Sequence, residues 1–462
     1  MERGKKKETL TPEERLQAAL VPEGEQPYPV PGNWCWTYIK FGFDVTSSKR
    51  VHKEDWLSQG IPFYRTRELV KLSENGCVDN ELFISEKLYN SFVAEYGVPQ
   101  KGDLLISGVG TIGVPYVINE NQKFYFKDGN IIWFKNRGLF HPKYVYFLYK
   151  STFIDNQIHQ MSSGTTVDTY TIINANATVV PLPPFSEQHR IIDRIESLFA
   201  KLDEAKQKAQ DALDSFETRK AAILHRAFTG ELTAQWRKEH GVGMESWEAR
   251  TSTQLFEYVT SGSRGWAKYY ADNGDIFVRM GNLNHGTIEL DLSDIQYVNL
   301  PGQTEGQRTK LQKNDILISI TADIGMVGIV REMEQNAYIN QHIALARPTA
   351  KDNAEFLAWY LISDVGLQQM RNKQRGATKI GLGLDDIRSL ELLIPTREEQ
   401  DEVVYILDNL LANEQQAKEV AEGVLEQIDL IKKAILARAF RGELGTNDPS
   451  EESAVELLKQ VL

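Results

Sequence analysis

KAAILHRAFTGEL at residues 220–232 returns as KKAILARAFRGEL at residues 432–444, so that Lys220 corresponds to Lys432. The same displacement carries KGDLLIS at 101–107 onto KNDILIS at 313–319. One offset that holds over this distance indicates two copies of one folding unit rather than a short-period solenoid. A duplicated chain tends to build an object with pseudo-twofold symmetry, which suits a target made of two halves.

The composition places the chain among ordinary globular proteins. Its 462 residues are 41% hydrophobic and 25% charged, which is enough for two or three domains with their own cores. No apolar run approaches the roughly 18–20 residues of a membrane span, and the N-terminus lacks a signal-peptide core. The two cysteines, Cys35 and Cys77, fall in the same copy, which argues against a disulfide framework or a cysteine zinc site. We therefore expect a cytoplasmic protein without a metal site.

The net charge of −12 argues against nucleic-acid binding only if it is spread evenly. It is not, because residues 395–462 carry −8 and residues 245–394 carry −4. Phosphate binding needs a local basic face and not a basic average. The charge weakens a DNA-binding interpretation without excluding it.

Both copies follow the same order of patterns. Short β-type runs broken by Gly, Asn and Asp come first, among them DLLISG and NIIWF in copy one and DILISI and HIALAR in copy two. Aromatic-rich helical stretches follow, and then a last apolar strand that ends at Pro183 or Pro395. After that proline the apolar period changes from two to three and four, which predicts a long helix.

The long helices are predicted over 186–227 and 397–439. Thr396 with Glu399 three residues later predicts a capping box at the second helix, and Ser186 is the predicted cap of the first. Gly230 and Gly442 are typical C-terminal glycines.

Two charges interrupt the apolar seams of these helices, Arg219 in the first and Glu414 in the second. An antiparallel register in which paired residue numbers sum to 633 places them opposite each other, so that neither charge is left unpaired in the seam. The same register pairs Leu202 with Ile431. The alternative is two separate amphipathic helices, each packed on its own globular portion.

The combination of these motifs resembles the specificity subunit of type I restriction–modification systems. The resemblance covers about residues 31–445 and depends on PLPPFSEQHRI with KAAILHRAFTGEL, and on IPTREEQDEV with KKAILARAFRGEL. The second helix start departs from the pattern, since it has Ile394-Pro395-Thr396 where the first has Pro183-Pro184.

The resemblance implies an α+β fold with two pseudo-symmetric α/β target-recognition domains, separated by two long antiparallel conserved helices that form a coiled coil. Each domain would read one half of a split double-stranded DNA sequence. The helices would act as a spacer and as the docking site for two methylation subunits that bind S-adenosylmethionine. Two restriction subunits that use ATP and Mg²⁺ can join such a complex, while this chain itself would hold no cofactor. The domains expected on this basis are an N-terminal appendage and linker (1–30), target-recognition domain 1 (31–183), spacer helix 1 and linker (184–243), target-recognition domain 2 (244–395), spacer helix 2 (396–445) and a C-terminal tail (446–462).

No catalytic constellation stands out. Gly108–Gly113 reads GxGxxG after a strand, but a dinucleotide site needs a helix next, and VPYVI predicts another strand, so a glycine-rich hairpin is favoured. Leu182-Pro183-Pro184-Phe185 is near an amino-methyltransferase motif but has leucine in place of the polar residue that would bind the target amine. His342 lies in a strand-like run and is interpreted as a structural histidine. We infer a non-catalytic subunit.

DNA contacts are expected from Arg and Lys in Gly/Ser/Thr loops, because Arg can fork onto guanine and Lys can bind phosphate. Hydroxyl and amide side chains in the same loops complete the set. The candidates are Lys49, Arg50, Arg65, Arg67, Ser107, Thr111, Thr165 and Thr166 in copy one, and Arg264, Lys268, Arg279, Asn282, Arg371, Lys373, Arg375 and Lys379 in copy two. For each of them a solvated surface position is the alternative.

Two other hypotheses stay open for the whole chain: a duplicated coiled-coil scaffold without DNA sequence specificity, and an enzyme with an unrecognised site. Thr11-Pro12-Glu13-Glu14 predicts a capped helix start ahead of a proline-rich linker over 21–32. Residues 1–30 are expected to dock on a partner or on the helices, with a disordered tail as the alternative.

Overall fold

The chain folds into two compact units. The structure is a computed structural model and describes residues 11–120, 122–162, 168–301, 306–375 and 381–462. Unit 1 consists of Met1–Lys208 with Val424–Leu462, and unit 2 of Ala209–Gly423. Each unit combines one globular portion with a segment of both long helices, as the predicted α+β fold requires. The sequence-predicted domain boundaries fall elsewhere, at the ends of those helices, and stay predictions. Within the described ranges no helix is both long and apolar enough to cross a membrane.

From residues 104 and 316 onward the regular elements follow one another in the same order in both copies. Ahead of these residues the copies differ, because residues 66–96 of the first hold two helices whereas residues 280–298 of the second hold a 3-10 turn and a strand. The helices are α1 Pro12–Ala19, α2 Ile39–Gly42, α3 Thr66–Asn75, α4 Glu86–Tyr96, α5 Pro142–Tyr149, α6 Thr152–Ser162, α7 Ile172–Ala177, α8 Phe185–Asp214, α9 Phe216–Phe228, α10 Ala234–His240, α11 Ser252–Leu255, α12 Ala354–Ile362, α13 Asp364–Asn372, α14 Leu384–Arg388, α15 Arg397–Ala439 and α16 Ala454–Lys459. The strands are β1 Cys35–Tyr38, β2 Phe43–Thr46, β3 Ile61–Tyr64, β4 Phe83–Ile84, β5 Leu104–Ser107, β6 Pro115–Val117, β7 Tyr125–Phe126, β8 Ile131–Asn136, β9 Val179–Leu182, β10 Glu248–Thr251, β11 Phe256–Ser261, β12 Tyr270–Ala271, β13 Asp275–Val278, β14 Gln296–Val298, β15 Ile316–Ser319, β16 Val327–Ile329, β17 Ala337–Ile339, β18 Ile343–Pro348 and β19 Glu391–Ile394.

A four-stranded antiparallel sheet forms the centre of each unit. Its strand order is β2-β8-β5-β6 in unit 1 and β11-β18-β15-β16 in unit 2. The register is also repeated, since Leu104 pairs with Phe134 and their equivalents in the second copy, Ile316 and Ala346, pair in the same way. A second sheet holds β4-β3-β7 in unit 1 and β12-β14-β13-β17 in unit 2, with β3–β7 and β13–β17 parallel. The predicted duplication is thus a duplication of the fold.

Continuous apolar runs explain why these sheets lie in the interior. Every residue of β5 and of β15 is buried, because their four residues pack on both faces. Helices cover one face: α5 in unit 1 and α12 in unit 2 contribute the aromatic side chains that the sequence concentrates there. Burial of each such side chain is worth about 1.5–3 kcal/mol, so these clusters provide most of the stabilisation of each unit.

The two long helices form where the change of period predicted them, with one difference. α15 is continuous, but the first helix is interrupted between α8 and α9 at Ser215. There the Ser215 hydroxyl donates to the carbonyl of Asp211 at 2.8 Å, and the Arg219 guanidinium donates to the carbonyl of Ala212 at 3.2 Å. Side-chain hydrogen bonds to helix carbonyls compete with the regular pattern and bend helices. The first long helix thus covers the predicted range, with a break of one residue at Ser215.

The helices run antiparallel within each unit. In unit 2 the Arg219 Nε lies 2.8 Å from a carboxylate oxygen of Glu414, which confirms this predicted pair, and the Lys418 Nζ lies 4.9 Å from the ring centroid of Phe216. In unit 1 Asp203 and Lys432 form an ion pair. They directly follow Leu202 and Ile431, so the predicted register holds there to within one turn, although Ile431 is 43% exposed.

Neither predicted cap of the long helices is right in full. The Thr396 hydroxyl accepts a hydrogen bond from the backbone N–H of Glu399 at 3.4 Å, but the Glu399 carboxylate does not complete the box. Its Oε1 accepts from three other side chains, and its buried Oε2 has no partner in the described part of the chain. Ser186 lies inside α8 and its hydroxyl donates to Glu451. The left-handed conformations predicted for Gly230 and Gly442 are present, with φ of 79° and 74°.

The segments at both ends of the numbering belong to the core of unit 1. Thr11 and Glu14 form the predicted capping box of α1, and the carbonyl of the buried Ala19 accepts a hydrogen bond from the Thr37 hydroxyl at 2.8 Å. Ala454 and Leu458 of α16 are fully buried in the same cluster. The alternative of a disordered tail is therefore wrong for residues 11–30, while residues 1–10 lie outside the described residues.

Candidate nucleic-acid interface

Four loops meet at one end of the central sheet of unit 1. They are residues 47–50 after β2, 107–113 between β5 and β6, 127–130 between β7 and β8, and 168–170 before α7; together we name them loop face 1. Gly108 is their centre, because its N–H donates to the carbonyl of Asn130 at 2.8 Å and its carbonyl accepts from the N–H of Tyr170 at 2.9 Å. The Ser47 hydroxyl donates to the carbonyl of Ile131 at 2.8 Å and ties the first loop to the third.

Unit 2 builds the same arrangement from different residues. Loop face 2 comprises residues 261–264, 319–325, 339–342, 375 and 381–382. The N–H of Ile320 donates to the carbonyl of His342 at 3.0 Å, and the carbonyl of Ile320 accepts from the N–H of Leu382 at 2.9 Å. These are the contacts of Gly108 displaced by the common offset of the repeat. The backbone of the loop face is thus preserved between the copies, while its side chains differ.

The hairpin loop has two residues in the left-handed region, at the same two places in both units: Gly110 and Gly113 in unit 1, and Ala322 and Gly325 in unit 2. Gly110 has φ of 81° and its equivalent Ala322 has φ of 61°, a conformation that costs a non-glycine residue about 1 kcal/mol or more. The hydroxyls of Ser107 and Ser319 brace the loop by accepting from the N–H of Val114 and Met326, at 2.8 and 2.9 Å. The pairing of β5 with β6 confirms the hairpin interpretation of the GxGxxG stretch.

Most described candidates of copy one lie on or beside loop face 1. Lys49 and Thr111 are exposed on it, and the Arg50 Nε donates to Asp128 at 3.1 Å with 72% of the Arg50 side chain exposed. Arg65 and Arg67 lie at the start of α3, where both bind the buried carboxylate of Glu68. A Cβ added to Gly110 would lie 4.0 Å from the Thr66 side chain, so this helix start borders the loop face. Thr165 and Thr166 lie outside the described residues.

Copy two divides its candidates between the loop face and its surroundings. Arg264 and Arg375 lie on loop face 2, and Arg375 binds Asp386 at 2.7 Å while 80% of its side chain stays exposed. Arg371 is exposed at the end of α13, and Lys373 follows it. Of the remaining candidates, Lys268 is exposed in a 3-10 turn, with its Nζ 4.8 Å from the Tyr269 ring centroid, and Arg279 binds Asp294 at 3.0 Å. Lys379 lies outside the described residues.

Two candidates lie in the interior instead. Ser107 is fully buried, and its hydroxyl is engaged with Val114. Asn282 is 4% exposed, and its amide donates to the carbonyls of Asp291 and Asp294 at 2.8 and 3.0 Å. Both side chains hold loops rather than face solvent. Small polar residues among glycines are typical of surface loops, which is why both were predicted to contact DNA. In the structure both side chains are buried and form hydrogen bonds with backbone groups of these loops.

Sequence reasoning missed the turn 339–342 as part of this surface. His342 is hydrogen-bonded at both ring nitrogens, as a structural histidine would be, yet its partners Thr321 and Gln341 belong to loop face 2. A signal was present, because INQH at 339–342 aligns with KDGN at 127–130 at the common offset, and both separate strands.

The buried carboxylates outside the loop faces serve the fold. Glu187 and Glu399, which begin the long helices and which we name the helix-start glutamates, are fully buried. Glu187 accepts from the Thr446 hydroxyl at 2.7 Å and from Arg190, and burial raises its pKa while these two partners lower it. Glu399 accepts from Thr233, Arg237 and Trp247 at 2.7, 2.6 and 3.1 Å. Each carboxylate thus connects the start of its long helix to the segment that follows the other long helix.

Comparisons with known proteins agree with this picture. The sequence model of the type I restriction modification DNA specificity domain matches residues 43–213 and 244–422. The type I restriction enzyme EcoBI specificity subunit of Escherichia coli is 26% identical over 450 residues, which cover 92% of this chain and 89% of that protein. The EcoKI specificity subunit of Escherichia coli K12 is 25% identical over 330 residues, 68% of this chain and 69% of that protein.

The fold is also that of a known structure. A crystal structure of the HsdS subunit from Thermoanaerobacter tengcongensis aligns with a TM-score of 0.65 and 18% identity, over 90% of this chain and 99% of that one. The two segments matched by the domain model cover more than half of the present chain, one for each copy of the fold. This chain therefore belongs to the family of type I restriction modification DNA specificity proteins.

Proposed function

We propose that this chain is the DNA-reading subunit of a type I restriction–modification complex and directs that complex to a bipartite DNA target. The observation that carries the proposal is the loop face, which each unit builds on the same backbone contacts with different side chains. A constant frame with variable polar and cationic groups is what the reading of two different half-sites needs, since base edges are distinguished by side-chain donors and acceptors. A scaffold without sequence specificity would not require two loop faces that share their backbone contacts and differ in their side chains.

The chain's own role is non-catalytic in this proposal. It would bind double-stranded DNA and two methylation subunits in the cytoplasm, and restriction subunits would join them. S-adenosylmethionine would bind to the methylation subunits, and ATP with Mg²⁺ to the restriction subunits. The buried carboxylates support a non-catalytic role, because Glu187 and Glu399 hold the fold through hydrogen bonds to Thr446 and Thr233.

The test changes Arg371, Lys373 and Arg375 together to Ala and assembles the full complex with its methylation subunit. Binding should weaken, and the salt dependence should flatten by about 0.9 in log–log slope for each lost phosphate contact. Where one of these residues reads a base, preference should fall by roughly 1–3 kcal/mol at positions of one half-site only. Methylation profiling of genomic DNA gives the preferences, and binding titrations at several salt concentrations give the slope.

The matched control removes three exposed lysines at the opposite end of the central sheet of unit 2, namely Lys310, Lys313 and Lys351, all changed to Ala. It should leave both the slope and the methylated sequence unchanged. Equal loss in the control, or equal loss at both half-sites in the test variant, would contradict the placement of DNA on loop face 2 and at the end of α13. A wild-type complex without any sequence preference would contradict the function itself.

A further inference from the structure

The turn 339–342 of unit 2 is held rigidly. The Asn340 carboxamide oxygen accepts from the N–H of His342 at 3.0 Å, which closes the turn. The backbone at Gly262 packs directly on it, because a Cβ added there would lie 2.1 Å from the carbonyl oxygen of Ile339 and 2.4 Å from that of Asn340. Only glycine permits this approach, so the turn and the neighbouring loop are fixed against each other.

A chain of hydrogen bonds orients Gln341 on this turn. The Gln341 Nε2 lies 2.6 Å from the His342 Nε2, and the His342 Nδ1 lies 2.7 Å from the Thr321 hydroxyl oxygen. An amide nitrogen carries only donors, so the His342 Nε2 is the acceptor and the ring proton sits on Nδ1, where it is donated to Thr321. One amide N–H of Gln341 is thereby used. Within the described part of the chain, its other N–H and its carbonyl oxygen stay available.

The groups left on Gln341 match one base edge. A glutamine amide that offers one acceptor and one donor side by side pairs with the N6 amino group and the N7 of adenine in the major groove. The arrangement also costs little entropy on binding, because the histidine has already fixed the amide plane.

Unit 1 presents a different group at the equivalent turn. Asp128 stands where unit 2 has Asn340, and its carboxylate accepts from the Arg50 Nε at 3.1 Å. This contact leaves the terminal N–H groups of the guanidinium, which is 72% exposed, for a ligand. A guanidinium fork fits the O6 and N7 of guanine.

We propose that Gln341, positioned by His342 and Thr321, reads an adenine in the half-site bound by unit 2. The inference rests on the proposed function, since it assigns a base to one residue of loop face 2. His342 and Thr321 are positioning residues, because they reach the base only through the amide of Gln341.

The first experiment compares the methylation profiles of complexes that carry Gln341→Ala and Gln341→Glu. The Ala variant should lose roughly tenfold to a hundredfold of the preference for adenine at one position of one half-site. The Glu variant should move the preference at that position from adenine to cytosine, because a carboxylate accepts from the cytosine N4 amino group but cannot donate to N7. Gln335→Ala, an exposed glutamine ahead of β17, is the matched control and should change nothing.

The positioning role has its own readout. Thr321→Val removes the hydroxyl that holds His342 and should weaken the adenine preference at the same position, by less than Gln341→Ala does. Thr321→Ser keeps the hydroxyl and should therefore retain the adenine preference of the wild-type complex. A purely structural role would instead lower preference at several positions in both variants.

A measurement on wild-type protein guards against variants that fail to fold. Duplexes of the wild-type target are prepared with 7-deazaadenine at one adenine of the half-site at a time, which replaces the N7 acceptor by a C–H group and keeps the N6 amino group. Binding by the wild-type complex should fall severalfold at one position, and Gln341→Ala should show no further loss there. Insensitivity at every adenine, or an unchanged profile for both Gln341 variants, would overturn the proposal while leaving the proposed function intact. Absence of any preference in the wild-type complex would instead remove the proposed function.

Discussion

The helix-start glutamates of the two units are equivalent in sequence and in burial but are neutralised in different ways. Glu187 takes its cation from Arg190, one turn along the same helix, and Arg190 is shared with Glu451 and 37% exposed. Glu399 takes its cation from Arg237 on α10, which is 9% exposed, and Trp247 adds a further donor. In unit 1 the equivalent Trp34 donates to Asn447 instead.

The difference shows what the architecture demands. A buried carboxylate needs a counter-charge and hydrogen-bond donors, and the source of both is free to change. In Glu399 all three donors bind Oε1, and the buried Oε2 has no partner in the described part of the chain. One feature is kept in both units: the carboxylate accepts a hydrogen bond of 2.7 Å from a threonine hydroxyl. In each unit this threonine lies in the segment that follows the long helix of the other copy. The hydroxyl contact is therefore a feature of the common fold, whereas the cation comes from a different position in each unit.

The largest expected effect comes from removing the two cations. Arg237→Met should destabilise unit 2 by about 3–5 kcal/mol, because it leaves Glu399 charged and buried without a counterion. Arg190→Met should cost about 1 kcal/mol in unit 1, since that pair is partly solvated. Hydrogen exchange of the full chain, followed at the first turns of α15 and α8, separates the two units. Lys238→Met on the exposed side of α10 is the control, and similar losses for Arg237 and Arg190 would contradict the comparison.

A smaller effect is expected from the charged pairs between the helices. Arg219 and Glu414 are 37% and 22% exposed, so their pair in unit 2 should couple by up to about 1 kcal/mol. Asp203 and Lys432 in unit 1 are 60% and 25% exposed, and their coupling energy should be only about 0.2–0.5 kcal/mol. Double-mutant cycles in urea, repeated at high salt, measure both couplings. A coupling of several kcal/mol for Arg219 and Glu414 would mean that the pair is sealed from water in solution.

The smallest effect concerns the ionisation of Glu187. Burial raises the pKa of this carboxyl above its ordinary value of 4.5, so the folded state holds the proton more tightly than the unfolded state. The associated stability is fully present below about pH 4.5 and is lost as the pH rises through the raised pKa. Glu187→Gln should remove this decline, so the variant gains on wild type between acidic and neutral pH. Urea titrations at several pH values test it, and a parallel pH dependence in both proteins would contradict it.

The repeat and the local sequence patterns predicted much of the fold. The repeat predicted two equivalent units, the alternation and apolar runs predicted β5 and β15, and two charges in apolar seams predicted that Arg219 meets Glu414. The failures share a physical cause. Glu399 was expected to cap its own helix, but its donors lie far away in the sequence, at Thr233, Arg237 and Trp247.

The candidate site shows the same limit. Glycine-rich context predicted that Arg50, Thr111 and Arg375 lie in loops, where the structure has them, because glycine and short polar residues favour turns. Their contact with DNA stays a prediction. The same context misplaced Ser107 and Asn282, whose hydrogen-bond partners are backbone groups that only the folded loops bring near. It also passed over Gln341, since an amide beside a histidine carries no signal until Thr321 closes the chain of hydrogen bonds.

The division of unit 1 into two stretches of sequence has a consequence for biosynthesis. Leu436, Phe440 and Ala454 fill the same cluster as Trp34 and Leu104, yet the whole of unit 2, Ala209–Gly423, is translated between them. At ribosomal speeds of about 5–20 residues per second, unit 1 waits roughly 10–40 s with this apolar surface uncovered after its first stretch is made. Unit 2 has no such delay and can complete its core first. We therefore expect any dependence of folding on chaperones to fall on unit 1, whose first stretch is synthesised before unit 2.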